Sequence, residues 1–393
     1  MPAERPTLFL SAAARKRRAR LHPWVFSNEI ENPPMLEPGG LVTLREKNRP
    51  ELWTAYYNPH SLIAARILAR GEVEIDGAWA SGRIRRALEL RRRLGLARDA
   101  LRLVHSEADG LPGLIVDRYA DVLVLESLTA GMDRLLPLVV EALRSELAPR
   151  AIVGRLDSEM RALEGLAPST TALWGELPGR VRVSCHGTPF DVDVVGGQKT
   201  GLFLDQMENI EALARFAPGA RVLDVCCYAG ACAIRLARAG AEYVQALDVS
   251  VAALACARAN AELAGVSDRI HWQEADAFRA LPELVRAGER FDVVHVDPPA
   301  FAKRKRDLPA ALSGYRELNR RAFRLMRPGG ILATSTCSHH VTAEMFLEML
   351  SLAARDGGRH ASILEVRGQA ADHPPLLSAP ETRYLTCVLL CVE

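Results

Sequence analysis

From about residue 191 onward, short apolar runs alternate regularly with amphipathic stretches. Strands buried on both faces read as continuous apolar runs, and amphipathic stretches of ten or more residues read as helices packed against them. The pattern predicts strands over 221–226, 243–248, 270–274, 291–297, 331–336, 362–366 and 385–392, with helices between most of them, for example 251–263 and 315–326. Seven strands joined by βαβ connections make a doubly wound α/β sheet. The wide spacing of the last two allows one antiparallel strand.

The first half has a different texture. Short strand-like runs at 8–10, 41–44, 52–57 and 63–68 are punctuated by Asn32-Pro33-Pro34 and Pro38-Gly39-Gly40, the signature of a small β-barrel. A helix over 80–94 follows. Next come runs at 114–117 and 122–126 that form a hairpin about Tyr119-Ala120-Asp121, a helix over 135–147 and a strand beginning at 151–153, an α+β order. A chain of 393 residues exceeds one ordinary core. The expected domains are therefore 1–72 (β-barrel), 73–190 (central α+β) and 191–393 (α/β).

Composition narrows the class. With 49% hydrophobic and 25% charged residues the chain reads as soluble and globular. It has no uninterrupted apolar run of about 18 residues, and no apolar signal core precedes the first Arg cluster, so the expectation is a cytoplasmic protein without a membrane partner. The net charge is +2, unevenly spread: the first 100 residues hold 18 Lys and Arg against 11 Asp and Glu, a net +7, and the remainder a net −5. The excess gathers in Arg15, Lys16, Arg17, Arg18 and Arg20 and in Arg83, Arg85, Arg86, Arg91, Arg92 and Arg93. Such density suits a polyanion such as RNA, although the second cluster also fits a solvated helix face.

Eight cysteines (185, 226, 227, 232, 256, 337, 387 and 391) show neither Cys-x-x-Cys pairs nor zinc spacing. No metal is expected, and most of them read as reduced, buried hydrophobes. Cys337 is the exception. It follows the predicted strand 331–336 within Ser335-Thr336-Cys337-Ser338, while Asp297-Pro298-Pro299-Ala300-Phe301 follows the strand before it. Carboxyl ends of strands carry the active site in open α/β sheets. An acid stiffened by two prolines beside a thiol could methylate carbon 5 of a pyrimidine. The plainer readings are a rigid turn for the prolines and a buried strand-end thiol for Cys337.

Three further acids end successive strands: Asp224 before the turn Cys226-Cys227-Tyr228-Ala229-Gly230, Asp248, and Asp276 followed by Ala277-Phe278. A glycine that opens a helix lets backbone amides approach a ligand, and a carboxylate at the second strand can accept ribose hydroxyls. No Gly-x-Gly-x-x-Gly is present to receive a pyrophosphate. The set therefore fits S-adenosylmethionine better than a dinucleotide, although each acid alone could be a helix cap. Three of the five lysines, Lys199, Lys303 and Lys305, flank this region in a chain dominated by Arg, and are candidates for contacts to substrate phosphate.

Five blocks then carry a resemblance: HPWVFSNEI from His22, EADGLPGLIVDRY from Glu107, QKTGLFLDQ from Gln198, DPPAFAK from Asp297 and TCSHH from Thr336. In this order they resemble the PUA-containing ribosomal RNA large subunit methyltransferase I family, over about residue 8 to the end. The resemblance implies an N-terminal PUA-like RNA-binding domain, a central α+β domain and a Rossmann-like domain that forms 5-methylcytosine in 23S rRNA with S-adenosylmethionine. It is compatible with a homodimer. It implies Cys337 as nucleophile and Asp297 as the acid at the base. Asp224, Asp248 and Asp276 align with cofactor positions, and Gln206 and Lys199 fall in a block expected to close over cofactor or substrate. By residue type and place, Tyr228, Gly230 and Ala277 join the cofactor side, and Pro298, Phe301, Lys303 and Lys305 the substrate side.

Two features depart from the family pattern. Met207 stands where an Arg usually follows FLDQ, and the glycine turn reads Ala229-Gly230-Ala231-Cys232. In addition, the Asp-Pro-Pro motif holds no second cysteine for product release, so release would rely on solvent or a nearby acid. Two alternatives stay open: an N-methyltransferase that stacks a purine on the Asp-Pro-Pro-Ala-Phe segment, and a non-catalytic RNA-binding protein. His339 and His340 are either helix-start residues or a proton shuttle.

Overall fold

Strands β1 (Thr7–Leu10), β2 (Trp24–Val25), β3 (Gly40–Glu46), β4 (Leu52–Tyr57) and β5 (Ala65–Arg70) form a sheet in the order β1-β3-β4-β5-β2, with the short helix α1 (Arg15–Ala19) between the first two. The computed structural model describes residues 5–96, 98–302 and 304–393. Alternation in β1 leaves Leu8 and Leu10 inside with Val42, Leu44 and Ala55. The predicted strand 63–68 starts two residues late, because Ala64 closes a turn by accepting the Asn58 amide.

The basic segment is only partly available to a ligand. Arg15, Lys16 and Arg20 are exposed, but Arg17 pairs with Glu29 at 3.2 Å and Arg18 is buried beside Trp53.

A second sheet follows α2 (Gly77–Arg93). It comprises β6 (Ala100–His105), β7 (Leu114–Tyr119), β8 (Val122–Ser127), β9 (Ala151–Leu156) and β10 (Ser169–Trp174), in the order β10-β9-β8-β7-β6, with α3 (Ala130–Leu147) and α4 (Glu159–Ala162) as connections. Both long helices begin earlier than the hydrophobic period suggests, because side-chain caps precede them: Asp76 accepts the Trp79 amide at 2.8 Å and Thr129 the Met132 amide at 3.3 Å. The β6 and β10 runs were not legible as strands. The second Arg cluster is largely neutralised: Arg91 is buried on Asp109 at 2.6 Å, and Arg92 and Arg93 bind Glu89 at 2.7 and 2.8 Å.

Both sheets belong to one compact unit, Met1–Val183 with Val192–Gly201 and Asp372–Thr382. Trp24 Nε1 donates to Glu107 Oε1 at 2.8 Å, Arg66 meets Glu164 at 3.1 Å, and the buried Tyr56 hydroxyl donates to the Pro112 carbonyl at 3.0 Å. The sequence blocks around Trp24 and Glu107 thus meet inside this unit.

A hairpin of β11 (Arg180–Cys185) and β12 (Thr188–Asp193), also not predicted, lies where the chain passes to the second unit, Ser184–Asp191 with Leu202–Ala371 and Arg383–Glu393. After α5 (Met207–Ala214) come β13 (Arg221–Val225), α6 (Ala231–Arg238), β14 (Tyr243–Asp248), α7 (Val251–Ala264), β15 (Ile270–Glu274), α8 (Ala277–Arg286), β16 (Phe291–Val296), α9 (Leu308–Leu325), β17 (Met326–Thr336), α10 (Ala343–Gly357), β18 (Ala361–Arg367) and β19 (Thr386–Val392). The seven strands lie in the order β15-β14-β13-β16-β17-β19-β18; β19 runs antiparallel to both neighbours and the other pairs are parallel. The order reverses at β13 and β16, which opens a crevice at their carboxyl ends. Helix α9 starts seven residues before its predicted beginning, with Pro309 in its first turn.

Candidate active site

The turn after β13 is built against ordinary backbone preference. Cys226 and Tyr228 have φ of 64° and 47°, and Gly230 has φ of 80°. Left-handed conformations at non-glycine residues persist only where surrounding contacts enforce them. Here Asp248, at the end of the neighbouring strand β14, accepts the Tyr228 amide at 2.8 Å and the Ser250 amide at 2.9 Å. At Gly230 a Cβ would lie 2.6 Å from Trp272 and 3.0 Å from Ala257. The glycine therefore serves both the turn and the close approach of β15 and α7.

Asp224 occupies a different level from the other two acids. It is wholly buried; one oxygen meets His295 Nδ1 at 2.8 Å and the other accepts the Ala233 amide at 3.0 Å. Its carboxylate thus ties β13 to β16 and to the start of α6, beneath the turn. Burial works against protonation of His295, but Cys232 and the Asp224 carboxylate outweigh it and raise the imidazole well above its ordinary range. Neither His295 nor Trp272 stood out in the sequence, since each sits inside an ordinary strand pattern.

Asp276 caps α8 by accepting the Phe278 amide at 2.7 Å, with Ala277 buried behind it. Exposed Val249 follows Asp248 directly, and exposed Phe278 stands two residues after Asp276. Carboxylates at two strand ends, exposed apolar side chains beside each and a glycine-opened helix form a donor set suited to a nucleoside carrying an aliphatic chain. The residues present suit S-adenosylmethionine: Asp248 could meet the ribose, Val249 and Phe278 the adenine, and the Tyr228–Gly230 turn the methionine part. Phe203 covers Tyr228 edge-on at 4.9 Å.

The reaction side is formed by β16 and β17, adjacent and parallel with Val296 opposite Thr334. Asp297 follows β16, its amide donating to the Val225 carbonyl at 3.2 Å, and Cys337 follows β17. Gln206 Nε2 donates to Asp297 Oδ1 at 2.9 Å, while Asn209 Nδ2 donates to Gln206 Oε1 at 2.7 Å. The structure therefore brings Gln206 to the acid of the Asp-Pro-Pro motif, and Asn209 sets which end of the amide faces it.

Pro298 is buried, and Phe301 packs 4.6 Å from Tyr315 and 6.0 Å from Phe278. Lys305 is exposed on a single 3-10 turn, Lys303 lies outside the described residues, and Lys199 is exposed within the first unit. His339 is exposed, 6.0 Å from the ring of Tyr384.

Other thiols near the site are suppressed. Burial and the Asp248, Asp297 and Asp224 carboxylates push Cys226 up to about 12, and burial pushes Cys232 and Cys387 up to about 11. Met207 is buried beside Phe190 and Ile210, and Arg235 next to it already pairs with Glu211 at 2.7 Å. An apolar side chain therefore fits the position where the family usually has Arg.

Sheet order, strand-end acids and glycine turn together define a class I methyltransferase, and comparison with known proteins agrees. Residues 8–70 match a PUA-like domain, and residues 168–369 match an S-adenosylmethionine-dependent methyltransferase domain. The fold is shared with an S-adenosylmethionine-dependent methyltransferase from Streptococcus mutans (TM-score 0.84, 19% identity, 98% of this chain and 100% of that one). It is shared as well with a methyltransferase complexed with S-adenosylhomocysteine (TM-score 0.86, 20% identity, the same coverage).

The chain is an S-adenosylmethionine-dependent methyltransferase, and it belongs to the ribosomal RNA large subunit methyltransferase I family. It is 39% identical to that protein of Shewanella denitrificans over 375 residues, 93% of this chain and 94% of the relative. It is 37% identical to that of Pseudoalteromonas translucida over 388 residues, 96% and 97% of the two chains. Among the described residues no helix is long and apolar enough to cross a membrane.

Proposed function

We propose that this enzyme methylates carbon 5 of a cytosine in 23S ribosomal RNA through a transient covalent bond from Cys337 to carbon 6. The observation that carries the reading is the adjacency of β16 and β17, which delivers Asp297 and Cys337 to one end of the sheet. The names of its relatives support ribosomal RNA as substrate, and the PUA-like domain matched over residues 8–70 supports RNA binding through Arg15, Lys16 and Arg20.

Carbon 5 of cytosine is a poor nucleophile. Addition of the Cys337 thiolate to carbon 6 turns the ring into an enamine whose carbon 5 carries the electron pair. S-adenosylmethionine supplies an electrophilic methyl group when bound. Asp297, oriented by Gln206, hydrogen-bonds the ring at N3 and favours the addition. Once carbon 5 carries the methyl group, loss of its proton to solvent or a nearby carboxylate returns the electron pair, expels the Cys337 thiolate and restores the double bond. Pro298 and Phe301 shape the base pocket, and Lys199, Lys303 and Lys305 serve phosphate. An unpaired target is expected, because extraction from a stem costs a few kcal/mol.

Burial raises Cys226 and Cys387, which disfavours each of them as the nucleophile. The test is bisulfite mapping of 23S rRNA from cells with and without the gene. Loss of one protected cytosine is expected; an unchanged cytosine map with loss of a methylated purine would favour the N-methyltransferase reading.

A further inference from the structure

Tyr315 has no part in the chemistry above, yet its hydroxyl lies at the junction of the two reactive loops. The side chain is completely buried in the middle of α9. Its hydroxyl is 2.9 Å from Ser338 Oγ. Ser338 Oγ in turn accepts the Ala302 amide at 3.2 Å, and the Ser338 amide donates to Thr336 Oγ1 at 3.3 Å. The ring lies 4.6 Å from Phe301 and 5.7 Å from Phe346.

Thr336 and Ser338 flank Cys337. Both are about 1% exposed, while Cys337 between them is partly exposed. Holding both neighbours inward therefore fixes the backbone on either side of the cysteine, whose own side chain is partly exposed. Through Ser338 the same hydroxyl is tied to Ala302, five residues beyond Asp297, so the loop bearing the acid and the turn bearing the thiol share one anchor. A buried hydroxyl is costly unless hydrogen-bonded, which makes this anchor specific rather than a greasy contact.

We propose that Tyr315 is a positioning residue for methyl transfer, which acts through Thr336 and Ser338 to fix the Cys337 side chain relative to the Asp-Pro-Pro-Ala-Phe loop. The inference rests on the covalent reading of Cys337. Tyr315 touches neither cofactor nor base; what it sets is the geometry of attack.

Tyr315→Phe keeps the ring and its packing and removes only the hydroxyl. The expected result is a fall in kcat of about 10- to 100-fold, the size typical of a misplaced reacting group, with KM for S-adenosylmethionine and calorimetric binding of S-adenosylhomocysteine unchanged. Covalent trapping on a 23S rRNA transcript made with 5-fluorocytidine should slow in parallel. Ser338→Ala should reproduce the defect and Ser338→Thr, which keeps a hydroxyl, should restore most of the rate.

Wild-type kcat and trapping in Tyr315→Phe, with Cys337→Ala inactive, would overturn the proposal alone. A loss of activity matched by loss of S-adenosylhomocysteine binding in both Tyr315→Phe and Ser338→Ala would overturn it too, since that is a folding effect. Normal turnover by Cys337→Ala would instead remove the covalent reading on which the proposal stands.

Discussion

The carboxamide of Gln206 is held at both ends, its Nε2 donating to Asp297 Oδ1 at 2.9 Å and its Oε1 accepting Asn209 Nδ2 at 2.7 Å. Arg367 Nε continues the chain by donating to Asn209 Oδ1 at 2.9 Å. An amide is ambiguous about which end it presents. Here Asn209 decides that Asp297 meets a donor, which constrains the acid before any base arrives.

Gln206→Leu removes that donor while keeping the side chain's bulk. A neutral hydrogen bond contributes about 0.5–1.5 kcal/mol, so the rate of methyl transfer should fall by roughly 2- to 10-fold. S-adenosylhomocysteine affinity, measured by calorimetry, should hardly change. A large loss of that affinity with normal kcat would place Gln206 on the cofactor instead.

Sequence periodicity revealed the seven strands of the catalytic sheet well because most are short apolar runs closed by a polar or glycine-containing turn; β15 and β18 are the mixed exceptions. It revealed less of the first unit. In β10, Ser169 to Thr171 are exposed edge residues without an apolar signal, and the β11–β12 hairpin follows a Pro-Gly pair that reads as loop. The strand-end acids were visible as residues but not as levels. That Asp224 lies below the turn, bound to His295, while Asp248 holds the turn itself, depends on register between strands, which no local pattern carries. The Arg clusters misled for a related reason: Arg18 and Arg91 are buried, and charge density along the chain does not say which side of a helix faces inward.

Cys337→Ala should abolish methyl transfer and covalent trapping on RNA containing 5-fluorocytidine, yet retain S-adenosylhomocysteine binding. Fluorine at carbon 5 blocks the final proton loss, so wild-type enzyme accumulates as an adduct resolvable on a denaturing gel. Asp297→Asn should still form that adduct, about 100- to 10,000-fold more slowly, the usual span for a general-acid contribution.

RNA affinity should depend on the exposed members of the first basic cluster. Replacement of Arg15, Lys16 and Arg20 together with Ala should weaken binding to a 23S transcript and flatten the plot of log K against log salt concentration, by about 0.7–0.9 in slope for each phosphate no longer neutralised. The buried Arg18 is the control. Its replacement should lower thermal stability, since the guanidinium lies by Glu29, Glu46 and Trp53. An unchanged salt slope in the triple variant would move the RNA-binding surface elsewhere.

Gly230→Ala places a methyl group 2.6 Å from Trp272 at a φ of 80°, so strain and overlap act together. The combined cost should be about 1–3 kcal/mol, read as a lowered Tm. The turn that meets the cofactor should shift with it, so S-adenosylhomocysteine affinity should weaken in Gly230→Ala but not in Gly288→Ala. Gly288 has a φ of 77° with open space around its Cβ, and it separates backbone strain from the clash.

The buried pair His295 and Asp224 predicts a pH dependence of stability. The imidazole is raised well above 6.5 in the folded chain, where Asp224 lies 2.8 Å away and Cys232 also contacts it, with Cys226 and Cys387 close by. A group whose folded value is raised contributes fully below its unfolded value, and that contribution is lost as pH rises through the folded value. His295→Asn should therefore be less stable than wild type by about 3–5 kcal/mol at about pH 6, the cost of stranding one member of a buried pair. The gap should narrow steadily toward alkaline pH, as wild type must either take up a proton on folding or leave the Asp224 carboxylate beside a neutral imidazole. Thermal melts of the two proteins across this range give the difference directly. A gap that stays constant to about pH 9 would mean that His295 is neutral in the fold and donates to Asp224 without carrying charge.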